Sequence, residues 1–154
     1  MNAPNESSAL SRMAAYCSTA ERCPSDIERK LSSAGLPSDA IERIVFELES
    51  QNFINESRYA RSFTADKLRF NAWGRIRIAY ELQRKKISSK IIEEALATIA
   101  PHEYKTILAR LLSSKLKTIR GNSDHEIREK LFRFAAGRGF EYDIIKECIG
   151  ELNI

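Results

Sequence analysis

The apolar spacing Ile41, Ile44, Val45, Leu48 returns as Ile92, Ala95, Leu96, Ile99 and again as Ile145, Cys148, Ile149, Leu152, about 50 residues apart each time. Positions i, i+3, i+4 and i+7 lie on one face of a helix, so each run is an amphipathic helix with that face buried. The residues upstream repeat as well: Ile27, Leu31 and Leu36 correspond to Ile78, Leu82 and Ile87, and to Leu131, Ala135 and Phe140. Each unit therefore carries a helix, a tight turn and a second helix. A further helix precedes each pair, over Leu10–Thr19, Ser57–Arg69 and Tyr104–Leu116. The reading is an all-α tandem array of three three-helix modules, at 10–54, 55–100 and 101–154, with 1–9 as a disordered tail and 117–122 as a loop. Helices of about 15 residues are about 22 Å long, so three modules in a row give an elongated, curved molecule.

Local signals mark the same places in each unit. Gly35 and Gly139 follow the second helix, where a left-handed residue ends a helix without steric cost. Lys86 stands there in the middle unit; a left-handed lysine costs on the order of 1 kcal/mol, so that turn is expected to be weaker or differently shaped. The second helices open on Cys23-Pro24, on Gly74, and on Ser123-Asp124-His125-Glu126, a capping box.

A chain of 154 residues with 43% hydrophobic content can bury a core without metal or disulfide staples. Cys17, Cys23 and Cys148 form no C-x-x-C pair, and their odd number argues for a reducing, cytoplasmic setting. They read as small core or cap residues. No apolar run approaches the length of a membrane span, and the N-terminal residues lack the pattern of an export signal. Asn5-Glu6-Ser7 and Asn55-Glu56-Ser57 match the glycosylation pattern, but without export that match carries no chemistry.

The net charge of +4 is unevenly spread. Residues 1–54 carry five basic and eight acidic side chains, residues 55–100 ten and five, and residues 101–154 ten and eight. Lys67, Arg69, Arg75, Arg77, Arg84, Lys85, Lys86 and Lys90 face a single acid, Glu81, over one short stretch. With Ile78 and Leu82 buried, Arg77, Tyr80 and Arg84 share the opposite side of their helix. The expected interface is therefore Lys67, Arg69, Arg75, Arg77, Arg84, Lys85 and Lys86, a basic patch for phosphate or an acidic protein surface. Phe70 and Trp73 flank it, either to stack on a base or, the preferred reading, to fill the gap between two helices.

Phosphate-cradling glycine loops and the nucleophile elbow are absent, and His102 and His125 stand apart from any cysteine. No catalytic, cofactor or metal role is assigned to any residue, and the chain is not expected to be an enzyme.

The middle unit also holds Phe53-Ile54-Asn55-Glu56-Ser57-Arg58-Tyr59-Ala60, Gly74-Arg75-Ile76-Arg77-Ile78, Glu81-Leu82, Lys85-Lys86-Ile87 and Ile92-Glu93-Glu94-Ala95-Leu96. With Tyr16, Arg22 and Ile27–Leu31 before it, and Arg133, Gly139-Phe140 and Ile144-Ile145 after it, this order resembles the RecX family. The resemblance implies a regulator that docks in the groove of the RecA filament on DNA and inhibits ATP hydrolysis, strand exchange and filament extension. Recombination, DNA repair and the SOS response would be its setting. It also implies contact with single- or double-stranded DNA, weakly or within the filament. Lys86 departs from the family's usual glycine, and Asn55 and Tyr59 are milder departures. The alternative is a stand-alone helical DNA-binding protein, against which stand the acidic helices at 41–49 and 145–152. A monomer is expected, although an exposed terminal face could pair with another copy.

Overall fold

The computed structural model describes residues 5–154, among which the chain forms nine α-helices and no strand. They fall in three sets: α1 Glu6–Thr19, α2 Pro24–Ser33 and α3 Ser38–Ser50; α4 Glu56–Asn71, α5 Arg75–Arg84 and α6 Ser89–Leu96; α7 Pro101–Leu116, α8 Asp124–Gly137 and α9 Tyr142–Gly150. No substantial packing joins α1–α3 to α7–α9, so the sets run in line. None of these helices is long and apolar enough to cross a membrane.

The first helix starts earlier than apolar periodicity indicates. Residues 1–4 of the expected tail lie outside the described residues, but Glu6 to Ala9 are helical and Ala9 is buried. Asn5 makes the difference, its side chain accepting from the N–H groups of Ser7 and Ser8 at 2.8 and 3.3 Å. Asn55 caps α4 in the same way, accepting from the Arg58 N–H at 2.8 Å. Both Asn-Glu-Ser tripeptides are thus helix starts, the polar counterpart of the apolar repeat. Ser123 caps α8 through the Glu126 N–H, while the Glu126 carboxylate reaches one residue further back than a capping box requires, to Asn122.

The turn after the second helix is the same in all three sets, so Lys86 does not reshape the middle turn as expected: its side chain is exposed and the backbone keeps the left-handed bond pattern. Gly35, Lys86 and Gly139 have φ of 91°, 63° and 93°. The next residue, Leu36, Ile87 or Phe140, donates its N–H five residues back, to Leu31, Leu82 or Ala135, at 3.2–3.3 Å. Each of those three side chains is buried, so the turn locks the third helix against the second.

Two cores result. Ile27, Leu31, Ile44 and Leu48 centre the first, confined to α1–α3 and the residues just after α3. The second runs continuously from Leu68, Ile78 and Leu82 to Tyr104, Leu131 and Ile145, and includes one residue from the first set, Cys23.

Between the second and third sets the contact is backbone on backbone. The N–H groups of Gly74 and Ile76, at the start of α5, donate to the carbonyls of Arg138 and Gly139 at 2.8 and 3.0 Å. The Arg75 N–H between them donates to the Tyr104 hydroxyl at 3.0 Å, and that hydroxyl donates to Glu141. Three orphan donors of one helix start are thereby satisfied by the following module. The approach leaves no room for side chains: a Cβ on Gly74 would lie 2.3 Å from the Gly139 carbonyl oxygen, and one on Gly139 would lie 2.4 Å from the Arg77 Cβ.

The equivalent joint between the first and second sets is built from side chains. Cys23 and Pro24 occupy the places of Gly74 and Arg75, and proline has no N–H to give. Instead the Ser25 hydroxyl donates to the Lys85 carbonyl at 2.7 Å, the Lys85 ammonium pairs with Asp26 at 2.7 Å, and Arg58 pairs with Glu21 at 2.6 Å. Tyr59, four residues into α4 as Tyr104 is into α7, stands beside Cys23 and Asp26, and burial foremost raises its hydroxyl pKa.

Gly74→Ala is expected to cost roughly 1–3 kcal/mol in urea unfolding, because the Gly139 turn has to move to admit a methyl group. Lys86→Gly should instead raise stability by about 0.5–1 kcal/mol, by relieving a left-handed lysine. Equal effects of the two changes would contradict the difference between the joints.

Candidate functional site

The seven basic residues expected to form one interface are divided by the structure into two groups. Arg69, Arg75 and Lys85 are held by other modules. Arg69 grips Glu103 of α7 with two nitrogens, at 2.7 and 3.3 Å, and those hydrogen bonds hold the Glu103 carboxyl below its usual pKa. Arg75 pairs with Glu141 at 3.0 Å and lies 4.0 Å over the Tyr104 ring. Lys85 is spent on Asp26. These cations position one module on the next.

Lys67, Arg77, Arg84 and Lys86 pair with no carboxylate of another module among the described residues; Arg84 and Lys86 are exposed, whereas Lys67 and Arg77, expected at the surface, are half-buried. Lys67 and Arg77 lie over the ring of Trp73, 4.9 and 4.1 Å from its centroid, with Phe63 meeting that ring edge-on at 6.3 Å. A cation over an indole is oriented by the ring quadrupole while it keeps hydrogen-bond donors free. Arg84 has only a loose contact with Glu81 of its own helix, at 3.5 Å, and the Lys86 side chain is exposed.

Apolar groups stand on the same helix. Ile76, Tyr80 and Arg84, four residues apart, form an outward stripe on α5, with Ile76 58% and Tyr80 59% exposed. Phe70, at the end of α4, is 83% exposed. Trp73 fills the gap between helices as expected, packing against the shared core, whereas Phe70 does not. Charge counting misses this apolar part of the surface. Its signal was the isoleucine at 76, which falls outside the buried spacing of Ile78 and Leu82.

The comparisons with known proteins agree with this architecture. Models of the second and third three-helix domains of RecX match residues 55–96 and 103–149. The regulatory protein RecX of Prosthecochloris aestuarii is 30% identical over 147 residues, covering 94% of this chain and 93% of that one. The chain belongs to the RecX family. RecX of Clostridium botulinum (strain Eklund 17B / Type B) is 34% identical over 127 residues, covering 81% of this chain and 59% of its own length, so the chain spans less than two thirds of that relative. Among solved structures, a regulatory protein RecX superposes with a TM-score of 0.86 at 25% identity, covering 95% of this chain and 72% of that one. RecX from Lactobacillus salivarius superposes at 0.85 with 26% identity, covering 96% of each chain. Within this RecX fold, the matched segment 55–96 holds both groups of cations.

The Asp26–Lys85 joint is titratable. Burial opposes ionisation of Asp26, but hydrogen bonds from Lys85 and Cys23 prevail and hold its carboxyl below the ordinary value of 3.8. A depressed carboxylate pKa stabilises the fold above the unfolded-state value, and that contribution is lost as pH falls through the folded-state value. The Asp26–Lys85 contribution should therefore be constant from pH 7 down to about 5 and fade below about 4. Comparing urea unfolding of the wild type and Asp26→Asn across this range checks it: the difference should be present at pH 7 and shrink in acid.

Proposed function

We propose that the chain regulates RecA by binding its filament on DNA and restraining ATP hydrolysis, strand exchange and filament extension. Membership of the RecX family, across the matched repeats, is the observation that carries this reading. The site is the outward surface of the middle module: Lys67, Arg77, Arg84 and Lys86 for phosphate or carboxylate, with Ile76 and Tyr80 supplying apolar contact. Arg69, Arg75 and Lys85 act indirectly, by fixing how the modules follow one another.

A regulator of this kind needs no reacting group. Occupancy of a filament blocks a moving or exchanging subunit, and several weak contacts on one chain make each later contact effectively intramolecular. Arginine suits the task because its planar fork pairs bidentately with phosphate or carboxylate. Ile76 and Tyr80 add what charge alone does not: apolar area whose burial survives high salt.

The test is the rate of DNA-dependent ATP hydrolysis by RecA from the same organism, with DNA in excess, as the protein is titrated in. The rate should fall at substoichiometric ratios. The triple change Arg77→Ala, Arg84→Ala and Lys86→Ala should weaken inhibition at least tenfold, about 1.4 kcal/mol, with helical content unchanged. Unaltered inhibition by the triple variant would remove the site. A wild-type protein that binds DNA yet leaves hydrolysis untouched would replace the reading with a stand-alone DNA-binding role.

A further inference from the structure

A groove between second and third helices is present in the first and third modules, and its chemistry reverses from one end of the chain to the other. In the first module Glu28, Ser32, Ser38, Ile41, Glu42 and Val45 line it. In the third, Phe132, Tyr142, Lys146 and Ile149 stand at the positions of Glu28, Ser38, Glu42 and Val45, counted from the paired core residues Ile27 and Leu131. Two acids and a serine have become two aromatics and a lysine.

The C-terminal groove has a volume of about 570 Å³. Phe132 and Tyr142 meet edge to face on its floor at 5.0 Å, and Tyr142 is 62% exposed. His125, Arg128 and Arg133 surround it together with Lys146, against one acid, Glu129, which His125 approaches at 3.3 Å. Arg128 donates to the Ile154 carbonyl, while Arg133 and Lys146 take part in no ion pair among the described residues. An aromatic floor with unpaired cations at its rim fits an acidic segment that carries one large apolar side chain.

The opposite end of the chain presents such a segment. Along α3, Glu42, Phe46 and Glu49 share an outward face, and Phe46 is 69% exposed. Arg43, the cation of this helix, is drawn aside by Glu6 at 2.8 Å. The first and third modules make no substantial contact within the chain, so this α3 cannot reach its own chain's groove. We propose that the groove between α8 and α9 receives α3 of a second copy, with Phe46 on the Phe132–Tyr142 floor and Glu42 and Glu49 against the Arg133 and Lys146 side. The contact joins unlike surfaces, an acidic N-terminal end to a basic C-terminal end. It uses none of the middle-module residues and stands independently of the RecA reading.

Sedimentation of the full chain tests the contact. Self-association should appear at low ionic strength and weaken at least tenfold between roughly 50 and 500 mM salt, since its pairs are exposed. Arg133→Glu with Lys146→Glu should weaken it at least tenfold, as should Phe46→Ala and, separately, Glu42→Lys with Glu49→Lys. All these positions are at the surface, and circular dichroism should report unchanged helix content. Mixing the two charge-reversed chains should restore association, because the acidic groove of one then faces the basic α3 of the other. A wild-type chain that stays monomeric at low salt, or a mixture that fails to recover, would overturn the proposal. So would a monomer whose groove binds a labelled single-stranded oligonucleotide and loses it on Lys146→Glu, since the groove would then belong to nucleic acid.

Discussion

A helix cannot begin without leaving backbone N–H groups unpaired, and α5 solves this with another module. Gly74, Arg75 and Ile76 give their protons to Arg138, Tyr104 and Gly139, so the start of the central helix is completed only when α7–α9 are folded against it. Each buried donor left without a partner costs about 1–3 kcal/mol, and three are satisfied here at once. The shared core from Leu68 to Ile149 follows from that contact, because the backbone approach brings Tyr104 and Phe140 into line with Ile78 and Leu82. The placement of Arg77 follows too, since it is held by the Gly139 turn on one side and by Trp73 on the other.

The fold was largely legible because a repeat reports the same instruction three times. The periodic apolar residues gave the third helices and the glycines after the first and last second helices gave left-handed turns, whereas Lys86, expected to alter the middle turn, keeps it at φ 63°. Apolar spacing was blind to polar starts: Asn5 extends α1 over residues that carry no apolar pattern. It could not separate the modules' cores either, since whether Cys23 joins its own module or the next depends on contacts across the array.

The interface was legible as a region but not residue by residue. Sequence shows where cations are concentrated and says nothing of which carboxylates lie opposite them. Glu103, Glu141 and Asp26 are 34, 66 and 59 residues from Arg69, Arg75 and Lys85, too far for any local rule to pair them. Arg69, Arg75 and Lys85 thus serve as mortar between modules, while Arg84 and Lys86 face outward with Ile76 and Tyr80.

The left-handed lysine has a geometric consequence. At Gly139 the absence of a side chain lets the preceding module's helix sit on bare backbone; at Lys86 a Cβ stands in the corresponding place and the contact passes to Ser25, Asp26 and Cys23. A repeat array winds at a pitch set by the rotation from one unit to the next. With one step fixed by peptide groups and the other by side chains, the two rotations need not be equal, so the chain is not bound to a single superhelical pitch. Where the two rotations differ, a partner of strict helical symmetry meets the modules at unequal phases, and each module's surface is answered by a different part of it.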